Sequence, residues 1–304
     1  MPSSRLRTSV AGIELEHPVM NASGILGESP ETVQRLAGYG VSAIVTKSFT
    51  REPREGYATP ISVPVACGLL NAVGLANPGV SALPLVVAAA KSAGKPVVVS
   101  IAGATVDEFV EIAAVAEDAG ADAIELNLSC PHSERRGLEI GMDFNLSYRV
   151  VREVSSTVKI PVLAKLGVVD RLVDLAGRLL SAGAAGFTLI NTLRAMKIDV
   201  YAARPVLGYG VGGLSGRAIH PVAVRAVYEV YAEHSPDIVG VGGIETWEDA
   251  VELMLAGAKA VQVGTALVVR GPEVISSILE GIEKYLEYTG AGSVAEIVGA
   301  AHRR

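Results

Sequence analysis

Val97-Val98-Val99-Ser100-Ile101, the helical stretch Val106–Ala119, the link Ala119-Gly120-Ala121 and the run Ala123-Ile124-Glu125-Leu126-Asn127-Leu128 together decide the fold. Two short runs rich in Val, Ile and Leu flank a segment whose apolar residues recur at helical spacing, so the stretch reads strand–helix–strand. The glycine of Ala-Gly-Ala supplies a left-handed helix C-cap, and a buried parallel strand follows within a few residues. The same punctuation returns at Ala182-Gly183-Ala184 and Ala256-Gly257-Ala258.

Working outward, strands are expected at Val19–Asn21, Ser42–Lys47, Val97–Ile101, Ala123–Leu128, Val162–Lys165, Gly186–Ile190, Ile238–Val241 and Ala260–Val263. Helical periodicity fills Leu172–Ala182, Pro221–His234 and Thr246–Ala256 between them. Eight such units predict an α/β fold of the (β/α)8 TIM-barrel type, with its site at the C-terminal ends of the strands. A doubly wound open sheet is the alternative, but no Gly-x-Gly-x-x-Gly turn follows the first strand and polar residues recur after nearly every strand. Such a barrel needs about 250 residues, so the 304 residues are expected to form one domain, 1–304. The first 18 residues read as a small hairpin covering the barrel bottom. Two connections are long, Phe49 to Asn77 after the second strand and Asn191 to His220 after the sixth, and loops of that length usually carry function.

Half the chain is apolar and 19 % is charged, which supplies a large core and excludes disorder. A net charge of −6 argues against nucleic acid or an anionic membrane as the main partner. The uncharged run Gly56–Ala90 contains Pro60, Pro64, Pro78 and Pro84 with Asn71 and Asn77, a combination that a lipid-facing helix does not tolerate. Arg5, Arg7, Glu14 and Glu16 interrupt any early apolar stretch, so no secretory leader is expected. Two cysteines make neither a disulfide framework nor a four-thiolate metal site, and the five histidines lack ligand spacing. The expectation is a cytoplasmic protein without a metal.

The strand ends carry Asn21-Ala22-Ser23-Gly24, Thr46-Lys47-Ser48, Ser100, Asn127-Leu128-Ser129-Cys130-Pro131, Lys165, Asn191-Thr192, Gly242-Gly243 and Gly264-Thr265. Each has an ordinary reading as a helix cap, a solvated lysine or a small buried thiol. Capping alone, however, does not place two lysines and a thiol at the same end of the strands. Val241-Gly242-Gly243-Ile244 before a helix near Thr246, and Val263-Gly264-Thr265-Ala266 after the eighth strand, resemble the phosphate site that barrels build after strands seven and eight. Gly212-Gly213-Leu214-Ser215-Gly216 can bring further backbone donors close. Cys130 sits between Ser129 and Pro131, where proline fixes the local backbone. An ordinary thiol is about 3 % thiolate at pH 7 and becomes a competent base beside a positive charge. Cys67, in Val65-Ala66-Cys67-Gly68, reads as structural; His132 is open between a ligand donor and a loop residue.

Asn71-Ala72-Val73-Gly74-Leu75-Ala76-Asn77-Pro78-Gly79, Asn127-Leu128-Ser129-Cys130-Pro131, Gly212-Gly213-Leu214-Ser215-Gly216 and the Gly242-Gly243 with Gly264-Thr265 pair resemble the dihydroorotate dehydrogenases. The resemblance runs from about Val10 to Ile282. Asn191 to Val230, with Leu207-Gly208-Tyr209-Gly210-Val211, is similar to the catalytic subunits of the NAD-linked class 1B. It implies an FMN-binding barrel that oxidises (S)-dihydroorotate to orotate in pyrimidine (UMP) biosynthesis, with Cys130 as the base at C5 and a hydride leaving C6 for flavin N5. It further implies that Lys47, Asn71, Ala72, Val73, Gly74, Leu75, Asn127, Asn191 and Thr192 meet the substrate. Ser23, Lys47, Ser48, Ser100, Asn127, Lys165 and Ile190 would contact the flavin, and Gly216, Gly242, Gly243, Gly264 and Thr265 its phosphate end. Lys165 would stabilise the negative charge near N1 of reduced flavin.

Two positions depart from the family pattern: His132 stands where Asn is usual, and Ser100 where Asn is frequent. Dihydropyrimidine dehydrogenases also carry His at the first position, which keeps uracil or thymine chemistry open. A barrel binding a phosphorylated metabolite without redox chemistry is the non-flavin alternative. The chain lacks a Rossmann fingerprint and iron–sulfur cysteine spacing. The resemblance therefore implies a partner subunit carrying FAD and an iron–sulfur cluster, on a homodimer of this chain within a heterotetramer.

Overall fold

The computed structural model describes residues 4–128 and 143–303. The chain enters through an antiparallel hairpin, β1 (Thr8–Val10) and β2 (Ile13–Leu15), with Val10 opposite Ile13. Period-two alternation turns Ile13 and Leu15 inward and leaves Glu14 exposed. The hairpin is fixed to the barrel where the Ala11 N–H donates to Asp237 Oδ2 at 2.7 Å.

Next come β3 (Val19–Asn21) and β4 (Ile44–Val45), then β5 (Ser62–Val65) and β6 (Gly68–Asn71) in the first long connection. β7 (Val97–Ile101), β8 (Ala123–Asn127), β9 (Val162–Leu166) and β10 (Gly186–Leu189) continue the main sheet. The second long connection holds β11 (Leu193–Met196), β12 (Ile198–Asp199), β13 (Arg204–Pro205) and β14 (Val211–Ser215), before β15 (Ile238–Val241) and β16 (Ala260–Val263). The main sheet runs β3-β16-β15-β10-β9-β8-β7-β4 with every pairing parallel. Helices such as Val106–Asp118, Leu172–Ser181, His220–His234 and Trp247–Ala256 cover it between strands, as the periodicity predicts. Gly120, Gly183 and Gly257 all have positive φ at the helix ends, as the Ala-Gly-Ala reading requires. The fold is the expected (β/α)8 barrel.

The cylinder closes between β3 and β4 through a side chain. Asn21 accepts the Val45 N–H at 2.9 Å and donates to the Val45 carbonyl at 2.7 Å, while Ser42 N–H bonds the Val19 carbonyl. This is why the second strand is only Ile44–Val45, shorter than the expected Ser42–Lys47. Asn21 is 0 % exposed, so its place in the strand-end set is structural.

The two long connections, far apart in sequence, meet in one antiparallel sheet of order β11-β14-β6-β5. Gly213 pairs with Asn71 and Leu214 with Leu70. A Cβ on Gly212 would lie 2.5 Å from Leu207 Cδ1 and 2.6 Å from the Asn71 carbonyl oxygen, so only glycine allows that approach. Cys67, expected to be structural, sits exposed at the tip between β5 and β6. Its backbone makes the structural contact, the carbonyl accepting the Ala218 N–H at 2.9 Å. Among the described residues no helix is long and apolar enough to cross a membrane.

Candidate active site

A cavity of about 310 Å³ opens where the C-terminal ends of the barrel strands meet the four-stranded sheet. Its wall includes Ser23, Lys47 and Ser48 after β3 and β4, and Asn71, Val73, Gly74 and Leu75 from the first long connection. Asn127, Lys165, Ile190, Asn191 and Thr192 line it from β8, β9 and the end of β10. Gly216, Gly242, Gly243, Gly264 and Thr265 complete the opposite side. Two residues expected at ligand stand elsewhere. Ala72 is 1 % exposed and packs with Leu70 and Leu207 beneath the four-stranded sheet. Ser100 is 0 % exposed and sits behind Ser48, where the serine hydroxyls are 3.0 Å apart. Cys130 and His132 lie outside the described residues.

The amides on one wall form a relay of hydrogen bonds. Asn127 Nδ2 donates to Ser48 Oγ at 3.0 Å, and Asn191 Nδ2 donates to Asn127 Oδ1 at 3.2 Å. Asn191 Oδ1 in turn accepts the Thr192 N–H at 2.8 Å. Each amide is thereby held in one orientation, which a site recognising a planar, multiply polar ligand requires. Asn71 is anchored from the far side, donating to the Gly213 carbonyl at 3.3 Å.

The glycine side differs from the expected phosphate site in one respect. At the start of the helix Trp247–Ala256 two donors are already engaged, since Asp249 Oδ2 accepts the N–H groups of Glu245 and Thr246, both at 2.9 Å. A carboxylate at that position disfavours a second anion there. The Gly242-Gly243 and Gly264-Thr265 turns themselves line the cavity. His220 backs the first turn, with Nδ1 3.0 Å from the Gly242 carbonyl oxygen and Nε2 3.1 Å from Glu252. Thr265 Oγ1 donates to Ser215 Oγ at 2.8 Å, tying the second turn to β14.

Charge is concentrated on the other side. Lys165 is 5 % exposed and its Nζ stands 3.4 Å from Glu125 Oε1, while Lys47 is half-buried at the cavity wall. Glu125 and Gln262 were not singled out from sequence, although Gln262 lines the cavity and Glu125 lies beneath it. The available signal was a polar residue in the middle of a buried, otherwise mostly apolar strand, in Ala-Ile-Glu-Leu-Asn and Ala-Val-Gln-Val.

Comparison with known proteins agrees with this architecture. The family described as "Dihydroorotate dehydrogenase" matches residues 5–286. A protein of Aeropyrum pernix, provisionally named dihydroorotate dehydrogenase A (fumarate), is 55 % identical over 98 % of both chains. Proteins of Thermoplasma acidophilum and Pyrococcus furiosus, each named dihydroorotate dehydrogenase B (NAD(+)), catalytic subunit, are 46 % identical over 98 % of this chain and 99 % of theirs. With a barrel of this topology, a cavity walled by fixed amides and two lysines, and a family match across nearly the whole sequence, the chain belongs to the dihydroorotate dehydrogenase family.

Proposed function

We propose that this chain, as one FMN-binding barrel over residues 1–304, is the catalytic subunit of an NAD-linked dihydroorotate dehydrogenase in the cytoplasm. The observation that carries the reading is the shared cavity: Lys47, Lys165 and three oriented asparagines face it together with two glycine turns. The residues present suit FMN. Glycines at positions 216, 242, 243 and 264 leave the wall free of side chains where a phosphate must meet backbone N–H groups. The buried Oε1 of Gln262 has no hydrogen-bond partner in the protein, and a ring N–H on a ligand would satisfy it.

Lys165, Ser23, Ser48 and Ile190 would hold the ring, with Gly216, Gly242, Gly243, Gly264 and Thr265 at its phosphate end. When bound, FMN supplies the acceptor for the hydride from C6 of dihydroorotate and gains negative charge near N1. Lys47, Asn71, Asn127, Asn191 and Thr192 would hold the substrate's carboxylate and ring amides, with Val73, Gly74 and Leu75 closing over it. Cys130 would take the C5 proton, so that one proton and one hydride leave together and the C5–C6 double bond forms. Ser100 would act through Ser48, which it bonds, and Ala72 would support the loop from below.

Electrons would leave through a partner subunit carrying FAD and an iron–sulfur cluster, docked on a homodimer of this chain. Two cysteines in the whole sequence cannot supply the four thiolates of such a cluster. The relatives named as catalytic subunits support the partner, and the relative named for fumarate makes the acceptor the point to test.

The test is anaerobic. The FMN-loaded chain should lose its yellow absorbance on mixing with dihydroorotate and regain it with orotate. Reoxidation by uracil instead of orotate overturns the substrate. Turnover with fumarate by the isolated chain, with no iron or FAD in the purified complex, overturns the NAD-linked assignment.

A further inference from the structure

A carboxylate is buried in the middle of the barrel. Glu125 is central in β8, every residue of which is buried, and it is itself 0 % exposed. Strand periodicity puts it on the same face as Asn127, one step deeper than the cavity wall. Burying an ionised carboxylate is costly unless it is paired and hydrogen-bonded. A position so expensive within an apolar strand therefore needs an account.

The surroundings supply one. Glu125 Oε2 accepts two hydrogen bonds of 3.0 Å, from Thr188 Oγ1 on β10 and from Gln262 Nε2 on β16. These donors approach from two different strands and lock the rotation of the carboxylate. The other oxygen, Oε1, is buried without a hydrogen-bond partner and stands 3.4 Å from Lys165 Nζ. Lys165 lines the cavity and Glu125 does not, so the carboxylate reaches the cavity only through the ammonium beside it. Among the described residues the other charged side chain on this cavity wall is Lys47. Among the described residues the remaining buried titratable groups are elsewhere: His17 precedes the N-terminal end of β3, and His220 with Asp249 backs the glycine turns.

We propose that Glu125 belongs to the redox site: from beneath the cavity its carboxylate balances the Lys165 ammonium and so sets how readily the bound flavin accepts electrons. The inference rests on the flavin reading above. An opposite charge fixed next to Lys165 reduces the positive field that reaches the ligand, and between two buried side chains that reduction is little screened. Thr188 and Gln262 share part of the carboxylate's charge through their hydrogen bonds. They determine how much of it is left to oppose the lysine.

The experiment is a spectroelectrochemical titration of the FMN-loaded protein. Glu125→Gln removes the opposing charge and should shift the equilibrium toward reduced flavin at least tenfold, an upward shift of ~30 mV for a two-electron couple. Glu125→Asp keeps the charge and should remain within threefold of the original. Lys165→Met should shift the equilibrium the other way. Should Glu125→Gln fail to fold, Thr188→Val preserves shape while removing one hydrogen bond from the carboxylate. It should lower the potential, since more negative charge then faces Lys165. An unchanged or lowered potential in Glu125→Gln, or an unchanged one in Thr188→Val, overturns the proposal. A protein that binds no flavin overturns the flavin reading and this inference together. Normal flavin binding with a potential indifferent to Glu125 overturns the inference alone.

Discussion

The two mouths of the barrel are built from the same strands and have opposite contents. At the N-terminal mouth the inward residues Met20, Ala43, Val45, Val98, Ala123, Leu163, Val239 and Ala260 pack with Val10, Ile13 and Leu15 of the hairpin into one closed apolar cluster. Two to four residues further along the same strands the inward positions become Ser100, Asn127, Lys165 and Gln262, and the cavity opens. Ala123-Ile124-Glu125-Leu126-Asn127 shows the change within one strand: apolar at the bottom, acidic in the middle, amide at the wall. Stability and chemistry are therefore assigned to different ends, as expected of barrels. Substitutions should separate the two properties according to the layer they touch.

The largest separation is expected at the C-terminal mouth. Cys130→Ala should leave FMN bound and the thermal midpoint within a degree or two, while reduction of the flavin by dihydroorotate slows by about 10²–10⁴-fold, the usual worth of a positioned base. The residual rate should lose the rise with pH that ionisation of the proposed thiol base produces. Stopped-flow bleaching across pH measures both, and near-normal reduction would remove Cys130 from the mechanism. At the other mouth, Leu15→Ala removes a side chain that is 3 % exposed from the hairpin plug. It should cost about 2–5 kcal/mol of stability and leave the reduction rate of the folded fraction unchanged. A slowed flavin reduction in that variant would break the separation.

Gly243→Ala probes the boundary between stability and ligand. Gly243 has φ +70°, and an added Cβ would meet His220 Cβ at 2.6 Å. The strain is about 1–3 kcal/mol, expected chiefly as weaker FMN retention, since the turn is at the cavity rather than in the apolar layer. Equilibrium dialysis against FMN, with thermal melting of the flavin-free chain alongside, distinguishes the two sites of damage.

The smallest effect is expected at His17, at the N-terminal mouth. Burial holds its imidazole below the usual value of 6.5, partly offset by the neighbouring carboxylate of Glu16 and the bond to the Gly40 carbonyl. The fold thus favours the neutral ring. Its stabilising contribution is complete above about pH 6.5 and declines as pH falls from there toward the depressed folded value, because the unfolded chain then binds a proton that the folded chain resists. His17→Gln cannot titrate, so the gap between its denaturation midpoint and the original's should narrow from pH 7.5 to 5.5. A gap that widens toward acid would show that burial is not the dominant cause.

The barrel was legible because its signals are local and repeated. Strand–helix alternation, Ala-Gly-Ala caps and polar strand ends each follow from short-range periodicity and backbone conformation. Lys47, Asn127, Lys165 and Asn191 were legible as candidates because they end strands, and in a parallel barrel every such end arrives at one mouth. Ser100 and Ala72 show where that reasoning stops. Both lie beside genuine cavity residues in sequence, yet one is screened by Ser48 and the other turns into the cluster with Leu70 and Leu207.

The sequence alone determined the period of the chain, the order of its strands and the end at which polar groups gather, since these depend on neighbours only a few residues apart. Tertiary structure decided the rest. Asn21 stitches β3 to β4, the Asn71 strand pairs with Gly213, Asp249 caps a helix expected to meet phosphate, and Glu125 stands under Lys165. Apart from the local Asp249 cap, three residues from Thr246, these pairings join residues 24 to 142 positions apart, and only the closed cylinder sets their geometry. A single buried polar residue in an apolar run has the same sequence signature whether it faces a helix or the heart of the barrel, and only closure of the sheet determines which.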